Sequence, residues 1–150
     1  KVLGARQEIF RKFWAQLIDR SKSRSQLLAN RSTTTDHWLS AGIGRGGFNL
    51  SAVLTQNNSQ IECYVRPGSE EKNAAAFSAL LAQKDAIEAK FGGKLIWDEV
   101  QGRQRRSISV ALPGGWKSPE SEWPEIQDRM IDALIRLEAA LKQPIQDLKL

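Results

Sequence analysis

The chain has 150 residues, is 41% hydrophobic, and sets 22 Lys and Arg against 17 Asp and Glu, for a net charge of +5 and a pI near 9.6. That length suits one domain spanning the whole chain, burying ~68–70% of its unfolded surface. Nothing approaches ~18 consecutive apolar residues, so no membrane span is expected, and Arg11 and Lys12 interrupt the first apolar cluster, so no signal peptide is visible.

The single cysteine, Cys63, excludes an internal disulfide and fits a reducing cytoplasm. With His37 as the only histidine, a Cys/His zinc site within one chain is excluded, and no metal or other cofactor is expected. The mild basicity permits an acidic partner without demanding one. The chain begins at Lys1 and not at methionine, and reads as a piece of something longer.

Residues 7–20 predict a helix, because Ile9, Phe10, Phe13, Trp14, Leu17 and Ile18 recur at three and four. Ser21 to Thr35 is polar and aperiodic and reads as a connection, with Leu27 and Leu28 as a possible continuation of the helix. Trp38 to Leu54 then organises the rest. It reads as a short strand, a glycine turn over Gly42, Gly44, Gly46 and Gly47, and a return strand in which Phe48, Leu50, Ala52 and Leu54 share one face. Gly44 or Gly47 is expected to take positive φ or to touch another backbone closely.

Gly42, Gly44 and Gly47 also spell G-x-G-x-x-G. A dinucleotide loop needs a buried strand before it and a helix starting at the third glycine. Here Ser32 to His37 is polar, and the residues after Gly47 alternate with period two. The reading that fits is a structural hairpin turn.

Gln56 to Ser59 is a turn, and Ile61, Cys63 and Val65 share one face of a third strand that Pro67-Gly68 ends. Cys63 on that inner parity is a small buried hydrophobe. A catalytic thiolate would need an adjacent base. Residues 71–91 predict one helix, stopped by Gly92-Gly93, with Phe77, Leu80, Leu81, Ile87 and Phe91 on one side. Lys94 to Val100 is a strand, Gln101 to Arg106 a basic hairpin tip, and Ile108, Val110 and Leu112 alternate on the return. After an irregular stretch from Trp116 to Trp123, Pro124 opens a last helix that Pro144 ends or nearly ends. Trp14, Trp38 and Trp97 are expected to be mostly buried. The fold class is α+β: about five antiparallel strands with three helices packed on one face, in the order α-β-β-β-α-β-β-α.

Phe13-Trp14, Trp38 with Gly42-Ile43-Gly44-Arg45-Gly46-Gly47, Phe77, Lys84, Ile87-Glu88, Phe91-Gly92, Leu95 and Trp97 together resemble a prokaryotic family known as domain of unknown function 4268 (DUF4268). The resemblance runs from about Phe10 through Trp123. It implies a domain placed C-terminal to a PD-(D/E)XK nuclease-like segment, and hence an accessory role in DNA processing or defence. The family places Ser-Arg-Ile where this chain has Arg106-Ser107-Ile108, a departure that bears on the orientation of that arginine.

Nuclease chemistry inside the chain would need an Asp and a nearby acidic-x-Lys on a strand, to hold Mg²⁺ and polarise the phosphate. Glu88-Ala89-Lys90 has that spacing but sits at the end of a helix, and Asp98-Glu99 lacks the lysine. No catalytic residue is expected. Two readings stay open. One is a nucleic-acid-binding accessory domain using Arg45 in the glycine turn and Arg103, Arg105 and Arg106 at the late hairpin, with Arg20 to Arg31 as a further basic stretch. The other is a docking or dimerisation domain for a nuclease-like partner, with Trp116 and Trp123 as anchors or as lids on the core.

Overall fold

The computed structural model describes residues 4–100 and 105–150. Helix α1 (Ala5–Ser21) leads through a turn region into strands β1 (Trp38–Gly42), β2 (Phe48–Leu54) and β3 (Asn58–Val65). Helices α2 (Glu70–Leu81) and α3 (Lys84–Phe91), strands β4 (Ile96–Glu99) and β5 (Arg106–Pro113), a short 3-10 turn and helix α4 (Trp123–Gln146) follow. The five strands form one sheet in the order β1-β2-β3-β5-β4, and every neighbouring pair is antiparallel.

The α+β expectation holds, with four helices among the described residues in place of three. The stretch predicted as a single helix over 71–91 is interrupted at Ala82 and Gln83, where Gln83 leaves helical angles (φ −104°, ψ 18°). The second half restarts with its own ladder, Ile87 N–H donating to Gln83 O. Arg136 of α4 holds the end of α3, donating to the Phe91 carbonyl and lying 4.2 Å over the Phe91 ring. Gly92 ends α3 in the left-handed region (φ 90°), as the glycine pair predicts.

Sheet parity explains the core. Leu39 and Ala41, then Phe48, Leu50, Ala52 and Leu54, then Ile61, Cys63 and Val65, then Ile108 are all buried and meet the helices. From the helical side come Phe13, Trp14, Leu17, Phe77, Leu80, Ile87, Met130, Leu137 and Leu141. Leu28, within the aperiodic connection, is also buried, so that stretch is pinned to the core and does not extend α1. Trp123 is a core residue, while Trp116 packs edge-on to Phe10 with the Arg6 guanidinium 4.5 Å over its ring.

The glycine turn is built as expected. Gly44 and Gly47 both have positive φ, and Gly47 lies directly against the Arg66–Pro67 backbone. The chain beyond Gly47 is a strand, so no helix N-terminus faces the G-x-G-x-x-G glycines. Of the three tryptophans expected inside, Trp14 is fully buried and Trp97 is half-buried against Phe77. Trp38 is 44% exposed. Pairing of Trp38 with Val53 and of Leu39 with Ala52 turns Leu39 inward and Trp38 to the opposite face.

Candidate binding face

All helices cover one side of the sheet, so the other side is a floor made of alternate strand residues. The register aligns Trp38, Val53, Gln60 and Ala111 in one row across the strands. Beside it run Ser40, Ser51, Glu62, Ser109 and Ile96, and then Gly42, Asn49, Tyr64, Ser107 and Asp98. More than half of these side chains are polar, serines foremost, and the Ser40 and Ser51 hydroxyls hydrogen-bond to each other at 2.7 Å. The result is a shallow groove of about 600 Å³ lined by strand residues and their flanks alone, with His37 and Trp38 at one end and Tyr64, Arg66 and Arg105 at the other.

Two groups in that groove are electrostatically unusual. Glu62 is only 3% exposed, its Oε1 lies 3.7 Å from Arg105 Nη2, and its Oε2 has no hydrogen-bond partner among the described residues. The Tyr64 hydroxyl is pushed up to about 12, chiefly by burial and then by its hydrogen bond to the Glu62 carboxylate. Arg105 lies 5.8 Å from the Tyr64 ring centroid, so tyrosine, carboxylate and guanidinium form one cluster.

The arginines predicted from sequence are not brought together on one surface. Arg45 donates from Nη1 to the carbonyls of Ile145 and Leu148, both at 2.8 Å. It therefore caps the C-terminal end of α4, where a cation meets the carbonyls of the last turn. Arg103 falls outside the described residues. Arg105 reaches the groove. Arg106 is expected at an exposed tip, but it opens β5 on the core-facing parity and is 6% exposed. Its Nε donates to Glu99 Oε2 and its Nη2 to Glu70 Oε1, each at 2.6 Å, and these bonds raise its already high pKa. Arg66 is not singled out by the sequence reading as a site residue; its place just past the end of β3, two residues beyond Tyr64 and on the same parity, is the signal that finds it.

The residues weighed for chemistry have structural occupations. Burial pushes the Cys63 thiol up to about 12, so it is protonated and unreactive at neutral pH. Glu88 Oε2 accepts from the Leu95 N–H at 2.8 Å and from the Trp97 indole at 3.2 Å, which ties α3 to the start of β4. Among the described residues, no three His, Cys, Asp or Glu side chains converge as metal ligands.

These carboxylates give the fold an acid sensitivity. The Arg106 hydrogen bond holds Glu70 below its ordinary value, and the Leu95 N–H does the same for Glu88. A depressed folded-state pKa contributes stability that is present above the unfolded-state value and lost as pH falls through the folded one. Thermal melts from pH 6 to 3 should therefore show a falling Tm. Glu88→Gln should flatten that fall, and an unchanged pH profile would contradict the assignment.

The sheet, its single layer of helices and the glycine turn are seen in the context of one sequence family. The family described as "Domain of unknown function (DUF4268)" matches residues 9–145. The chain belongs to this family. No curated protein and no solved structure matches it. Within the DUF4268 span lie the five described strands, Arg45 and every residue of the groove. No helix among the described residues is long and apolar enough to cross a membrane.

Proposed function

We propose that this DUF4268 domain is a non-catalytic accessory module that holds single-stranded nucleic acid on the open face of its sheet, beside a nuclease-like module in the prokaryotic cytoplasm. The observation that carries this reading is the groove itself: an exposed Trp38 at one end, Tyr64, Arg66 and Arg105 at the other, and small polar side chains between. Bases stack on aromatic faces whatever their identity, and arginine forks match phosphate oxygens. Five strands at ~4.8 Å spacing give a platform ~19 Å wide, room for a few nucleotides. The lone buried Cys63 suits a reducing compartment.

Fluorescence anisotropy with a labelled short single strand, and in parallel a duplex, tests this from low to physiological salt. Binding should favour the single strand and weaken with salt, with a log–log slope of about −0.7 per phosphate neutralised. Trp38→Ala should weaken binding ~5-fold or more, the loss expected from one stacked base. Absence of binding at low salt would reject the reading.

A second reading, docking of a protein partner or of another copy, is favoured by one observation. Arg45, Arg105 and Arg106 are all paired inside the domain, which leaves less free positive charge than the composition suggests. Sedimentation of wild type and Trp38→Ala decides it. A dimer that dissociates on loss of Trp38 would make the groove a protein interface.

A further inference from the structure

We propose that a second, smaller cavity next to the groove is a seat for one phosphate group of the bound strand, with Arg106 as its buried donor. This rests on the nucleic-acid reading of the open face and adds a specific subsite to it. The cavity has a volume of about 350 Å³ and is lined by Tyr64, Val65, Arg66, Arg105 and Arg106. It shares Tyr64, Arg66 and Arg105 with the groove, so a strand crossing the sheet reaches it without leaving the surface.

The decisive atom is Arg106 Nη1. The side chain is 94% buried, and Nε and Nη2 are fixed by Glu99 and Glu70, but Nη1 is buried with no hydrogen-bond partner among the described residues. A buried charged donor is rarely left unpaired, because burying it without an acceptor carries its full desolvation cost. The two carboxylates lock the guanidinium in one orientation, which leaves its remaining edge preorganised for a third acceptor. A phosphate oxygen fits: it accepts from a planar guanidinium, and Arg66 and Arg105 bring further positive charge to the same cavity.

The shared chemistry is a phosphate monoester or diester, and its source is either a strand end or the strand backbone. The test uses the whole domain with an eight-nucleotide single strand, bearing a 5′-phosphate or a 5′-hydroxyl, and with inorganic phosphate alone. In wild type, inorganic phosphate should shift the Arg106 side-chain NMR signals. Arg106→Lys and Arg105→Gln should each weaken strand binding ~10-fold, the effect of losing a charge-assisted hydrogen bond. Tighter binding of the 5′-phosphorylated strand assigns the seat to a strand end, and equal binding assigns it to the backbone; both uphold the site. Strand binding that neither variant alters, with Arg106 signals unmoved by phosphate, overturns the seat and leaves the sheet-face reading standing. Phosphate binding without strand binding upholds the seat and overturns the sheet-face reading. Should Arg106→Lys fail to fold, the exposed Arg105→Gln and the wild-type titration decide between the same outcomes.

Discussion

Gly47→Ala should be among the most destabilising single substitutions in this domain, costing ~3 kcal/mol and lowering Tm by roughly 10 °C. Two costs combine. Gly47 has φ +89°, a conformation that strains any side-chain-bearing residue by ~1–3 kcal/mol. A Cβ there would also sit inside the Pro67 Cα and 2.8 Å from the Arg66 carbonyl oxygen, so backbone must move, at ~1–3 kcal/mol for overpacking. Moving it also loosens the 2.7 Å bond from the Arg66 N–H to Gly47 O, which closes the β2–β3 ladder beside the proposed phosphate seat. Gly46→Ala is the control: no atom lies within 4 Å of its Cβ position and its φ is ordinary, so it should melt within ~0.5 kcal/mol of wild type. Urea titrations of both variants measure the contrast. Equal midpoints for the two would refute the close-approach account.

Where the chain alternates, the sequence was sufficient. Phe48 to Leu54 and Ile61 to Val65 buried the parity that their apolar residues define, and the glycine turn between strands followed from composition. The break at Ala82 and Gln83 left no such trace. Leu81-Ala82-Gln83-Lys84 are all good helix formers, and the interruption is set by how α3 meets Arg136 and α4, a tertiary effect that outweighs propensity. Trp38 failed for a different reason. In Trp38-Leu39-Ser40-Ala41-Gly42 each parity offers one bulky apolar residue, so only pairing with β2 could decide which turned inward.

The site was legible in part. The charge cluster at the late hairpin identifies Arg105. It also groups Arg106 with the tip, although the parity that Arg106 shares with Ile108 already places it on the core side. Glu62 within β3 and Arg66 just past its end share the outward parity, but nothing in their own segment shows that Arg105, immediately before a strand distant in sequence, would lie beside the carboxylate. Cross-strand neighbours are a property of register, and register joins residues that local patterns treat separately.

Trp14→Ala should cost ~4 kcal/mol, the scale for deleting a fully buried large aromatic, and it should loosen the edge of the binding face as well as the core. Trp14 stands edge-on to Phe13 with ring centroids 5.3 Å apart, and Phe13 meets Trp123 at the same distance, so one aromatic stack joins α1 to the start of α4. Its indole N–H also donates to the Asp36 carbonyl at 2.8 Å, one residue before His37 and two before Trp38. That bond fixes where β1 begins, and hence where Trp38 is presented. Trp14→Phe keeps most of the packing but strands the Asp36 carbonyl, so it should lose only ~1–2 kcal/mol. Trp38→Ala, at a site 44% exposed, should leave Tm nearly unchanged while removing the stacking platform. Thermal melts and strand-binding isotherms on these three variants separate the roles. Trp14→Ala should fail chiefly in stability, Trp38→Ala chiefly in binding, and Trp14→Phe mildly in both. A Trp38→Ala protein that melts several degrees lower yet binds normally would show that Trp38 belongs to the fold and not to the site.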